Sequence, residues 1–103
     1  MSTAIYTKEF TGGLIWGTGY FRRFSIPYPF AKLRIEDEFI VLSAVRTKFC
    51  LSRVEILGIE VKFALLAKGL KFHHQRKDYP SQIKFLTFQS DEILSILNDV
   101  PRI

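Results

Sequence analysis

Cysteine is almost missing from this 103-residue chain. Cys50 stands alone, so no disulfide closes within the chain and no Cys-x-x-Cys zinc or redox motif exists. Flanked by Phe49 and Leu51, it reads as a small buried hydrophobe, in keeping with a reducing cytoplasm. Histidine is scarce too. His73 and His74 are adjacent on a segment of strand character, where neighbouring side chains point to opposite faces and cannot share a metal, so no metal site is expected. Apolar runs such as Ala64-Leu65-Leu66-Ala67 fall far short of the ~20 residues that span a bilayer. The start, Met1 to Lys8, lacks the basic run and apolar stretch of a secretory signal. A soluble cytoplasmic protein is expected, at most peripheral at a membrane.

Catalytic signatures are equally thin. Gly17-Thr18-Gly19 lacks the third glycine and the following helix of a dinucleotide fingerprint and reads as a turn. Glu36-Asp37-Glu38 has no basic companion and reads as a solvated hairpin tip. Because no acid, base and nucleophile can be placed together, the chain is expected to be no enzyme, to hold no cofactor and to take no small-molecule substrate.

What is present is an ordinary globular composition, 48% hydrophobic, 15% aromatic and 24% charged. A chain of this length removes roughly two-thirds of its unfolded surface from water, enough for one modest core. Residues 1–12 are expected to be a leader or an extra edge strand, and residues 13–103 a single domain. Leu14 to Trp16 and Tyr20 to Ile26 form a first strand or ribbon, which Pro27-Tyr28-Pro29 breaks at a corner. Ala31, Leu33 and Ile35 alternate with Lys32, Arg34 and Glu36, the pattern of a half-buried strand; the acidic tip and Phe39 to Leu42 complete a hairpin. Lys48 to Leu51 is a fourth strand. Leu57, Ile59, Val61 and Phe63 share one face of a fifth, while Val54 and Ile56 carry the opposite parity, which predicts a bulge near Leu57-Gly58. Leu70 to His74 and Ile83 to Phe88 make two more strands, with His74 the inward histidine in need of a hydrogen-bond partner.

The single helix comes last. Ser90 is placed as its N-cap, Asp91 and Glu92 favour the positive end of the dipole, and Ile93, Ile96, Leu97 and Val100 form an apolar stripe that Pro101 ends. So short a helix needs the strands to lie against. The fold class is therefore α+β, mainly β: seven short antiparallel strands curled into a barrel or two packed sheets, with the helix closing one open end.

The succession of Tyr28 to Ile35, Phe39 to Leu42, Phe49 to Ile56, Gly69 to His74, Ile83 to Phe85 and Ser90 to Leu97 resembles small prokaryotic proteins of the pleckstrin-homology-like superfamily. The resemblance spans about residues 13 to 100. It implies a seven-stranded barrel of two packed sheets capped by a C-terminal helix, and a role in binding lipids, peptides or proteins. Inositide-binding members carry a basic motif in the loop joining their first two strands; this chain has Ser25 to Pro29 near that place, with Arg22-Arg23 out of step.

Charge has the most functional leverage. Lysine and arginine exceed aspartate and glutamate to give net +5, and the stretch from Lys62 to Lys84 holds all of that excess, with Asp78 its sole acid. Consecutive strands of a meander are neighbours, so a basic face is expected, with Lys71, His73, Arg76, Lys77 and Lys84 as its anion- or partner-binding residues. The leading expectation is a non-enzymatic module acting through an unknown protein partner or a homo-oligomer, with anionic lipid as a secondary ligand. The alternative is nucleic-acid binding on the basic face, with Trp16, Tyr20 and Phe24 as stacking groups.

Overall fold

The structure, a computed structural model, describes residues 7–18, 23–63 and 67–103. Alternating apolar positions become strands: β1 (Lys8–Gly17), β2 (Arg23–Ile35), β3 (Phe39–Ala44), β4 (Thr47–Ser52), β5 (Ile56–Phe63), β6 (Lys68–His74) and β7 (Gln82–Thr87), followed by the helix α1 (Ser90–Ile96). Leu33, Ile35, Ile40, Leu42, Phe49, Leu51, Ile59, Leu70, Phe72, Ile83 and Phe85 all enter one core.

All seven strands pair antiparallel in the order β4-β3-β2-β1-β7-β6-β5. They form one curled half-barrel sheet, because β1 bonds to β2 on one side and, over Gly13–Gly17, to β7 on the other. The edge strands β4 and β5 are consecutive in the chain. They are joined by the short 3-10 turn Arg53–Glu55, where the Glu55 carboxylate accepts the Ser52 N–H at 2.8 Å.

The first strands differ from expectation. The segment expected as a leader or an extra edge strand belongs from Lys8 onward to β1, which lies between β2 and β7, and Phe10 is core; residues 1–6 lie outside the described residues. The apolar period was hidden because the next inward position is Gly12. A Cβ there would stand 2.6 Å from the Phe85 ring and 2.2 Å from the Leu86 carbonyl oxygen, so glycine admits the close approach of β7. Leu14-Trp16 and Phe24-Ile26, read as one ribbon, are two paired strands. Pro27 to Phe30 is a large bulge within β2 and not the end of a strand: Gly12 pairs with Ala31 and Leu14 with Ile26, leaving Gly13 opposite the whole bulge. The register shift expected near Leu57-Gly58 is present.

Cys50 alternates outward between buried Phe49 and Leu51 and is half-buried, not buried as expected, because β4 keeps strict period two. Gln89, not Ser90, stands at the helix N-cap. Its N–H donates to the Thr87 hydroxyl at 2.9 Å, which starts the turn one residue early and sinks Ser90 into the interior. The helix ends at Ile96, not at Pro101 as expected; Ile93 and Leu94 within it and Leu97 and Val100 in the turn beyond are core, with Ile96 at the margin. Lys8 meets Glu92 at 3.2 Å and Lys68 meets Asp91 at 3.7 Å, so two strands place cations on the acidic first turn. Beyond the helix, Pro101 to Ile103 runs beside β5: Ile59 N–H donates to the Pro101 carbonyl (2.9 Å) and Ile103 N–H to the Ile59 carbonyl (3.1 Å).

Two glycines separate rigid from yielding contacts. Gly12→Ala drives a methyl into backbone and a core ring, and urea unfolding should show a loss of about 1–3 kcal/mol. Gly58→Ala meets only the Ile103 side chain and the Pro101 carbonyl oxygen, and should cost less than about 1 kcal/mol because the exposed Ile103 can give way.

Candidate functional site

The five residues expected to bind an anion fall into two groups. Arg76 and Lys77 sit on the β6–β7 connection, which crosses to the edge of β4. There the Tyr79 hydroxyl accepts the Cys50 N–H at 3.1 Å and lies 3.2 Å from the Cys50 carbonyl, to which Arg76 Nη1 donates at 3.0 Å. Arg76 also stacks over the Tyr79 ring at 4.1 Å and grips both carboxylate oxygens of Asp78. His74 organises the same connection: Nε2 is 2.8 Å from the Pro80 carbonyl and the Arg76 N–H donates to Nδ1, which leaves Nε2 carrying the proton. The Asp78 hydrogen bond holds the Arg76 guanidinium above its ordinary pKa, and Arg76 in turn holds the Asp78 carboxyl below its own. Arg76 thus secures the barrel's open seam, and its donors are engaged; Lys77 is exposed beside it.

Lys71, His73 and Lys84 do come together, on the outer face of the sheet. Strand parity puts Leu70, Phe72, Ile83 and Phe85 inside and Lys71, His73 and Lys84 outside. Lys71 and Lys84 are direct cross-strand partners, and Lys71 is flanked on its other side by Glu60. Glu60 is already shared, by Lys62 Nζ at 2.9 Å and His73 Nε2 at 3.0 Å, and the hydrogen bonds from Lys62 and then His73 hold its carboxyl below the usual range. The Lys84 amine is pushed below its ordinary pKa, first by partial burial and then by the charges of Arg23, Lys62 and Lys71.

Arg23 and Lys62 therefore belong to this basic face although they were not among the expected site residues. Lys62 was legible as the polar position two after Glu60. Arg23 was not, since its place depends on β1 lying between β2 and β7. The connection between the first two strands is residues 18–22, not the stretch near Ser25 to Pro29, and Arg23 opens β2 directly after it; Arg22 lies outside the described residues.

Aromatic side chains border the face. The β2 bulge folds over Gly13, whose Cβ would lie 3.1 Å from the Tyr28 nitrogen, and Tyr28 packs edge-on against Phe88 at 5.1 Å. Phe88 continues the outward parity of Lys84 and Leu86, and it is 59% exposed. Trp16 is not a free stacking platform: it is half-buried, stacked on Phe24 at 5.6 Å and edge-on to Phe49 at 6.0 Å. Tyr20 lies outside the described residues.

Among the described residues, no group of three or more His, Cys, Asp or Glu could hold a metal ion, and no helix is long and apolar enough to cross a membrane. No family model matches the chain, and neither a curated protein nor a solved structure shows significant similarity to it.

Three measurements probe these contacts. Tyr79→Phe removes the acceptor of the Cys50 N–H and should cost roughly 1–3 kcal/mol in urea unfolding. Lys84→Gln relieves like-charge opposition and should raise stability by roughly 0.2–1 kcal/mol at low salt, a gain that shrinks as salt is added. Glu60 and Asp78 have depressed folded pKa values, so the stability they contribute is complete above the ordinary carboxylate pKa near ~4 and is lost as pH falls from there through their lower folded values. Glu60→Gln with Asp78→Asn should flatten that acid limb.

Proposed function

We propose that this protein is a non-enzymatic binding module of the pleckstrin-homology-like class that docks an acidic protein surface on the outer face of β5, β6 and β7. The class rests on the order of elements, seven antiparallel strands and then a helix whose apolar side enters their core, together with the motif succession of the chain. One observation carries the docking reading: Lys71 opposes Lys84 directly, Arg23 and Lys62 add to the same field, and Glu60 is the carboxylate among them. Like charges set opposite each other give up stability that an anionic partner restores. The basic residues spread across five strands, roughly 19 Å, on a convex surface. That shape suits the side of another macromolecule better than it suits a single nucleic-acid strand, which is held in a groove.

The test titrates the protein with a glutamate-rich peptide, anionic vesicles and a single-stranded oligonucleotide at two salt concentrations. The peptide should bind, weaken as salt rises, and lose about tenfold in affinity or more with the Lys71→Glu, Lys84→Glu double variant. An oligonucleotide or vesicle that binds while the peptide does not would replace the reading. Indifference to all three would end it.

A further inference from the structure

The basic face has a counterpart on the same molecule. The β2–β3 hairpin tip closes with the Glu36 N–H donating to the Phe39 carbonyl at 2.8 Å, and it presents a recess of about 440 Å³ lined by Glu36, Asp37, Glu38 and Phe39. Glu36 is held by Arg34 at 2.7 Å, whereas no ion pair engages Asp37 or Glu38 among the described residues. Phe39 is 43% exposed beside them. Tip and basic face thus carry opposite signs: the tip sets exposed Phe39 beside carboxylates, and the face sets Lys71 opposite Lys84.

The two surfaces lie on different parts of the sheet. The tip belongs to the half built from β2, β3 and β4, and the basic face centres on β6 and β7 beyond β1. No ion pair joins them within one molecule among the described residues. We propose that the acidic Glu36–Phe39 tip of a second copy of this chain docks on the outer face around Lys71 and Lys84. The recess at the tip has room for a lysine side chain, with Asp37 and Glu38 as the carboxylates that no ion pair holds among the described residues and the exposed Phe39 ring as a cation–π partner. Because tip and face are different patches, the contact is heterologous and repeats from one copy to the next in a ring or an open row. The inference rests on the basic face being a docking surface and names what docks there.

Sedimentation velocity of the full chain across a concentration series, at low and high salt, reads the outcome. The weight-average mass should rise above the 12.0 kDa of one chain at low salt and return to it as salt is added. Two variants carry the specificity: a face reversal, Lys71→Glu with Lys84→Glu, and a tip reversal, Asp37→Lys with Glu38→Lys. Each alone should remain at the mass of one chain. Their equimolar mixture should associate again, because the reversed tip of one now complements the reversed face of the other. All four positions are exposed or half-buried surface residues, and circular dichroism checks that each variant is folded. A wild-type chain that stays single at every concentration overturns the proposal, as does a mixture that fails to recover or an association indifferent to salt. If the chain stays single but still binds the glutamate-rich peptide through Lys71 and Lys84, the docking face stands and its partner is a different acidic protein. If it does neither, both readings fall.

Discussion

The pairing of β1 with β7 is the constraint on which the molecule depends. β1 to β4 form one meander and β5 to β7 another, and among the described residues the ladder Gly13–Gly17 against Gln82–Leu86 is the only strand pairing between them. It closes a loop that runs from Gly17 to Gln82, most of the 103-residue chain, so its entropy cost must be met by burial. Leu14 and Phe85 stand opposite each other in that ladder, both fully buried, and Gly12 lets the Phe85 ring lie against the β1 backbone. With the seam formed, the two edge strands curve toward each other and the β6–β7 connection covers the gap through Tyr79 and Arg76.

The same seam completes the basic face. Lys62, Lys71 and Lys84 come together within the β5–β7 meander, and Arg23, from the second strand, reaches their field because β1 lies between β2 and β7. The sheet's inner face is spent on the core, so its outer face is where cations can gather without burial. The partly buried Lys84 amine lies against like charges, an arrangement that works against the stability of the domain. Arg76, by contrast, has been drawn into structure by Asp78, Tyr79 and Cys50, which shows how a basic residue in the right segment can still be unavailable.

Much of this was legible from residue order. Period-two alternation located β3 to β7 to within a few residues, the parity change at Leu57-Gly58 marked a register shift, and the apolar stripe found the helix. The losses occurred where one side of a strand carries no side chain to read. Gly12 concealed the early start of β1, and the exposed Pro27 to Phe30 bulge looked like the end of a strand because prolines normally are one. The capping-box spacing of Ser52 and Glu55 was present and would have marked the turn between β4 and β5. For the candidate site, Lys71, His73 and Lys84 followed from parity within a meander. Arg23 required the long-range seam, and the fate of Arg76 required the path of a loop.

The most direct measurement is the titration of the Lys84 amine by NMR, in the wild type and with Arg23→Gln. The account places that amine below the ordinary lysine range and requires it to move back toward that range when the charge of a residue on β2 is removed. An amine with an ordinary pKa, unmoved by Arg23→Gln, would contradict the placement of Arg23 beside that face and with it the β1–β7 seam.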